Sequence, residues 1–229
     1  SSSRISIHSM NQSVIPNIHG SSAQSTARYQ RQREKAIEAA ASVFATKGYH
    51  GASTKDIATH LGICQGSLYY YFKSKETALE EVCHTALRNY LGGMDDIFRQ
   101  SMLFEEKLSA IITVHLASYR AKNEALKVHT EQRLYLPKQK REKLKTLGSA
   151  YRKQLEELFM AGVKSGKLKT NLDCHFTALS LIGLCNYWGA MLSREPDLNL
   201  KQVIEQCTEL TLRGCRTYVD QFTHTTATS

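Results

Sequence analysis

The sequence predicts an all-α protein, and three observations carry that reading. Apolar residues recur at i, i+3, i+4 and i+7 along most of the chain, the spacing of one buried helical face. Only three prolines, Pro16, Pro137 and Pro196, interrupt 229 residues, and the segments between them lack the regular turn signals of a β fold. No strand pattern stands out, and there is no internal repeat.

The elements follow in order. Residues 1–26 are rich in Ser, Asn, Gln and His without periodicity, which predicts a disordered arm. From Tyr29 the pattern turns helical. Ile37, Ala40, Ala41 and Phe44 share a face, and Gly48 stands where a glycine ends a helix. Ser53-Thr54-Lys55-Asp56 has the form of a capping box, in which Ser53 caps and Asp56 reaches back. It opens a short helix with Ile57, Ala58 and Leu61 inward, ended by Gly62. A second short helix, about Gln65 to Tyr71, follows almost at once, and two short helices joined through a glycine-containing turn have helix-turn-helix form.

Lys75-Glu76 begins a longer amphipathic helix with Leu79, Val82, Cys83, Ala86, Leu87, Tyr90 and Leu91 on one stripe, and Gly92-Gly93 is expected to break it. Further helices are expected at roughly 103–121, 124–135, 138–165, 172–193 and 199–219. In the fourth of these, Phe176, Leu179, Leu181, Ile182, Leu184, Tyr187, Trp188 and Met191 cover more than one face, as in a helix packed both inward and against a partner. Val203, Cys207 and Leu210 give the last helix a companion stripe. The expected organisation is a disordered arm at 1–26, a helix-turn-helix domain at 27–75, a larger helical domain at 76–220 and a disordered tail at 221–229.

Composition narrows the function. The formal charge is +9, which favours a polyanionic partner, yet the densest basic stretch is 120–169, far from the helix-turn-helix. No apolar run approaches the ~18 residues that span a bilayer, and residues 1–20 hold no signal-peptide core, so no membrane partner is expected. Six scattered cysteines without a Cys-x-x-Cys pair fit a cytoplasmic chain with free or buried thiols.

Catalytic alternatives lack anchors. Glu81-Val82-Cys83-His84 matches one half of a di-iron motif, but no second copy exists. The stretch Gly162 to Gly166-Lys167 is one residue short of a phosphate-binding loop and continues with Leu168 instead of Ser or Thr. The nine histidines show no zinc-like spacing with cysteines. No catalytic residue, metal site or cofactor is therefore expected. Cys64, just before the second short helix, reads either as a redox-sensitive thiol or as a small residue filling a tight turn.

One stretch is more specific. Ala39-Ala40, Phe44, Gly48-Tyr49, Ser53, Asp56-Ile57-Ala58, Leu61-Gly62-Ile63 and the run from Gly66 through Tyr69-Tyr70-Tyr71-Phe72 to Lys75-Glu76 resemble, in order, the DNA-binding domain of the TetR family of regulators. The resemblance implies an N-terminal three-helix DNA-binding domain, a C-terminal domain that binds ligand and dimerises, and double-stranded operator DNA as partner. A recognition helix needs small, polar and aromatic groups that reach base edges and phosphates. Gly66 allows close approach, Gln65 and Ser67 suit base edges, and the hydroxyls of Tyr69, Tyr70 and Tyr71 suit phosphates. By the resemblance, Tyr70 and Tyr71 are the principal tyrosine contacts, and Thr54, Lys55 and Lys75 meet the DNA backbone. Leu68 and Phe72 are expected to brace the helix from behind, with Arg28, Arg31 and Arg33 extending towards a neighbouring groove. Cys64 and Gln65 stand where the family more often has a serine and a basic residue.

Glu131-Gln132-Arg133, Gly162 to Gly166 and Gly183 to Asn186 are similar to the branch of the family that controls fatty-acid or sterol catabolism, whose members respond to acyl-CoA thioesters. The expected ligand residues are Tyr119, Arg133, Tyr135, Phe159, Asn186, Tyr187 and Trp188. The basic run Lys138, Lys140, Arg141, Lys143 and Lys145 offers either an anion site for the ligand's head or a solvated helix face.

Overall fold

A computed structural model describes residues 18–121 and 123–217, and every regular element among them is helical. α1 spans Ile18–Gly51, α2 Thr54–Leu61, α3 Gln65–Leu68, α4 Lys75–Arg99 and α5 Phe104–Arg120. α6 spans Glu124–Gln132 and runs into a 3-10 turn at Arg133–Tyr135. α7 spans Lys138–Lys164, α8 Cys174–Arg194 and α9 Leu200–Cys215.

The helix starts are chemically specified. Side-chain oxygens of Ser74, Asn123, Asp173 and Asn199 accept backbone N–H bonds at the first turns of α4, α6, α8 and α9. Inside α1 the helical path breaks at Gly48, whose φ of 69° a side chain would resist. α1 also begins earlier than the periodicity implied: residues 18–26, expected to be disordered, are helical. That segment is polar and lacks an apolar stripe, so periodicity could not reveal it. Residues 1–17 and the tail expected at 221–229 lie outside the described residues.

Gly92-Gly93 does not break α4, which continues to Arg99. Met94 and Ile97 beyond the glycines are buried in the C-terminal core. Their burial, about 1.5–3 kcal/mol each, outweighs a glycine penalty of about 1 kcal/mol per residue.

Two apolar cores result. The first joins α1, α2, Leu68, Phe72 and the start of α4, and it is completed by Val128 of α6, Leu136 and Leu144 of α7. The second gathers α5, α8, α9, most of α7 and the far half of α4. α4 therefore threads both, and the N-terminal core closes only with residues from the C-terminal half.

α8 is long and apolar enough to cross a membrane by length and composition alone, with a mean hydropathy of 1.2 over eighteen residues. This corrects the expectation that no segment approaches that threshold. The helix is apolar on two sides: Ala178, Leu181, Cys185 and Leu192 enter the core, while Phe176, Leu179 and Tyr187 face outward.

Candidate nucleic-acid interface and ligand cavity

The capping box forms as expected and sets the entry of α2. Asp56 N–H donates to Ser53 Oγ at 3.1 Å, and Ser53 N–H donates to Asp56 Oδ2 at 2.9 Å. Lys47 Nζ lies 2.7 Å from the other carboxylate oxygen. These donors, Lys47 foremost, hold the Asp56 carboxyl down at about 2. Gly62, at φ 75°, then turns the chain towards α3.

α3 is shorter than expected: the α-helix covers Gln65–Leu68, and turns continue through Tyr71. Leu68 and Phe72 are both almost fully buried and brace it from behind. Lys55, Gln65, Gly66, Ser67, Tyr69 and Tyr70 are exposed, and Thr54 is half-buried. Gln65 Nε2 donates to Thr54 Oγ1 at 2.9 Å, tying the first turns of α2 and α3. Tyr70 is 79% exposed with its hydroxyl free to reach outward. Lys73 Nζ sits over the Tyr69 ring, and Lys75 Nζ sits 4.5 Å from the centre of the Tyr49 ring.

Tyr71 departs from this pattern. It is half-buried and stacks on Tyr29 at 5.7 Å, so its ring helps hold α1 against the turn. Arg33 pairs with Glu81 at 2.5 Å and braces α1 on α4, while Arg28 and Arg31 are exposed. Cys64 Sγ lies 3.0 Å from Ser67 Oγ, and hydrogen bonds from Ser67 lower the thiol below its ordinary range.

In the C-terminal half a cavity of about 330 Å³ opens between α4, α5, α6, α7 and α8. Tyr119, Arg133 and Asn186, three of the expected ligand residues, line it. The other four do not. Phe159 is fully buried in the second core and packs edge-on against Phe104. Tyr135 stacks on Tyr49 of α1 at 5.5 Å, outside the cavity. Tyr187 is largely exposed on α8, and Trp188 packs against it as part of the second core's fringe. Aromatic composition alone could not separate cavity wall from core and surface.

The basic run also falls elsewhere. None of Lys138, Lys140, Arg141, Lys143 and Lys145 lines the cavity. Lys140 instead pairs with Glu76 and Glu80 of α4, at 2.8 and 2.7 Å. The cavity's cationic groups are Arg133 and Arg152.

Sequence reasoning missed Tyr90, His115, His129, Thr130 and Arg152 as cavity residues. A signal existed for His115, which occupies a buried register with Leu108, Ile111, Ile112 and Leu116. Burial holds its imidazole down at about 4, partly opposed by a hydrogen bond with Asn186 at 2.9 Å. Burial, with the nearby charge of Arg133, lowers His129 to about 4 as well. Both rings are neutral near pH 7. Gly189 makes room for this wall: a Cβ there would lie 2.3 Å from the Tyr119 ring.

A second depression of about 440 Å³ shares Ser118, Tyr119, Leu126 and Thr130 with the cavity and adds Lys127 and Arg194 beside the carboxylates of Glu124 and Glu131. Glu81 and His84 form no metal cluster, and among the described residues no group of three or more His, Cys, Asp or Glu side chains could hold an ion.

Comparison with known proteins agrees with this geometry. The family described as bacterial regulatory proteins, tetR family, matches residues 36–82, and the tetracyclin repressor-like C-terminal domain matches 103–215. The chain is 28% identical over 148 residues to the fatty acid metabolism regulator protein of Bacillus subtilis, covering 64% of this chain and 76% of that one. It is 30% identical over 149 residues to the transcriptional repressor KstR2 of Mycolicibacterium smegmatis, covering 62% and 70%. A solved structure of AibR with isovaleryl coenzyme A and operator DNA shares the fold, with a TM-score of 0.67 at 20% identity, covering 78% of this chain and 97% of that one. Both halves of the chain thus match one family in the order that family has them, and the protein belongs to the tetR family of bacterial regulatory proteins.

Proposed function

We propose that the protein is a homodimeric bacterial cytoplasmic repressor, released from a palindromic operator when an acyl-CoA thioester enters the cavity. The observation that carries this reading is the position of α6. Leu126, His129, Thr130 and, just beyond, Arg133 line the cavity. From the same helix, Val128 enters the N-terminal core and Gln132 Nε2 donates to the Phe44 carbonyl of α1 at 2.9 Å. A ligand that displaces α6 therefore acts directly on the body that carries α2 and α3.

Thr54, Lys55, Gln65, Gly66, Ser67, Tyr69, Tyr70 and Lys75 form the DNA-facing set, with Tyr71 reduced to a bracing role at its edge. Two such surfaces would enter successive major grooves about 34–36 Å apart. The dimer pairs through α8 and α9, where Phe176, Leu179, Tyr187 and Leu210 leave an apolar face uncovered in the single chain. The cavity is sized for an acyl group alone, near the lower end of the ~300–1,000 Å³ typical of small-molecule sites. The anionic remainder would lie over Arg133 and Arg152.

The relatives supply support of a different kind: one is named for fatty acid metabolism, and a protein of the same fold holds isovaleryl coenzyme A. The test is a thermal-shift panel of acyl-CoA thioesters, free fatty acids and neutral hydrophobes. A selective rise with acyl-CoA at micromolar concentration is expected, since a ligand that binds the native state stabilises it by mass action. A rise with neutral hydrophobes alone would contradict the charged-head reading.

A further inference from the structure

The cavity wall contains polar atoms whose bonding is incomplete. Nδ1 of His115 is buried without a hydrogen-bond partner, and the buried Tyr90 hydroxyl has only the Tyr151 hydroxyl beside it, without a well-formed bond; all three residues line the cavity. His115 is only 5% exposed. Its Nε2 and the Tyr119 hydroxyl converge on Asn186 Oδ1, at 2.9 and 3.3 Å. With that oxygen as acceptor of both, Nε2 carries the proton of a neutral imidazole and Nδ1 presents a bare lone pair. The rings of Tyr90, His115 and Tyr119 are fixed against one another: Tyr90 meets His115 edge-on at 5.5 Å, and His115 stacks on Tyr119 at 6.2 Å. Buried polar atoms in native proteins nearly always find a partner, so two such atoms in one cavity mark a place where a ligand group completes the bonding.

We propose that the inducer's buried part carries a hydroxyl group, which donates to His115 Nδ1 and accepts from the Tyr90 hydroxyl. The proposal rests on the cavity being the ligand site, and it narrows the ligand class from plain acyl chains to hydroxylated ones. A hydroxyl satisfies both atoms because it is donor and acceptor in one atom. A saturated chain would leave both unsatisfied while removing any water that reached them, which penalises it against its hydroxylated counterpart. Selection by a polar site against a ligand lacking the matching group is steep for the same reason.

The test uses the full chain and two ligand series, read by calorimetric titration. The first compares octanoyl-CoA with 3-hydroxyoctanoyl-CoA and 8-hydroxyoctanoyl-CoA; the second compares methyl octanoate with methyl 8-hydroxyoctanoate. At least one hydroxylated member should bind about tenfold tighter than its parent. The preference should shrink in Tyr90→Phe, which removes the poorly bonded hydroxyl while keeping the ring that packs on His115. His115→Phe should abolish it, and the parent compound's affinity in each variant reports whether the cavity is intact. A preference confined to the methyl ester series would support the hydroxyl while contradicting the thioester reading. Equal binding within both series would overturn the hydroxyl and leave the thioester reading standing, with water satisfying these atoms. Binding of none of the five compounds would overturn both.

Discussion

Tyr70 and Lys75 separate two roles that a single residue often mixes. Tyr70 projects into solvent and touches no core, so Tyr70→Ala should leave the melting temperature unchanged while weakening operator binding. Lys75→Ala should lower affinity for all DNA sequences and reduce the salt slope by about one, as expected of a lost phosphate contact. It should also cost about 0.5–1 kcal/mol through the lost contact with Tyr49. Filter binding across a salt series, beside urea denaturation, distinguishes these effects. Gly189→Ala belongs to the opposite class. Its new methyl would collide with the Tyr119 ring, so a loss of about 1–3 kcal/mol in stability is expected together with weakened ligand binding.

Two histidines of the cavity wall give the protein a pH signature. His115 and His129 have folded-state values near 4 against an ordinary 6.5, so between those limits the unfolded chain binds protons that the folded chain refuses. Stability therefore rises with pH through that window and is lost as pH falls from about 6.5 towards 4. Thermal melts from pH 7 to pH 4.5 should show the decline, and His129→Gln should make it shallower. A melting temperature independent of pH over that range would contradict the assignment of both rings as neutral. At this scale the sequence was most legible where local chemistry acts alone. Ser53, Asp56, Gly48 and Gly62 take the cap and turn positions their residue types imply. Phe159 and Tyr135 lie outside the cavity, because which ring lines a cavity is decided by tertiary contacts that no spacing encodes.

Among the elements, α6 is the one whose two sides face two different tasks. Its cavity side is polar, with His129 and Thr130, and its other side is tied to α1 by Gln132 and, through the following turn, by the stacking of Tyr135 on Tyr49. Tyr135→Ala should preserve ligand affinity, since the residue lies outside the cavity, and reduce the ligand's effect on DNA binding. The usual coupling of about 1–3 kcal/mol would fall towards zero in a measurement of operator affinity with and without saturating ligand. Unchanged coupling would place the route elsewhere, with α4 and its pairing to Lys140 the next element to test. The existence of α6 and α7 followed from helical periodicity. The continuation of α4 past Gly92-Gly93 did not, because buried Met94 and Ile97 override local propensity only once the second core exists.

For the whole molecule, the outward faces of α8 and α9 explain why α8 is apolar beyond what one core requires. Phe176→Asp combined with Tyr187→Asp should yield a folded monomer by analytical ultracentrifugation, with operator affinity lost because a single half-site remains. The fold class, helix order and regulator family were legible from the chain because periodicity and one ordered motif specify them. The position of the cavity's charge was not: the basic run of 138–145 lies on α7 outside the cavity, and isolated Arg133 and Arg152 supply the cations.

On the proposed function, a ligand in the C-terminal cavity controls sequence-specific DNA binding by α2 and α3. The most direct test is selection of bound duplexes from a random pool, sequenced with and without acyl-CoA. Enrichment of an inverted repeat with half-sites one helical turn apart, abolished by the ligand, is the predicted result. An enriched repeat indifferent to every ligand in the thermal-shift panel, or no enrichment at all, would contradict it.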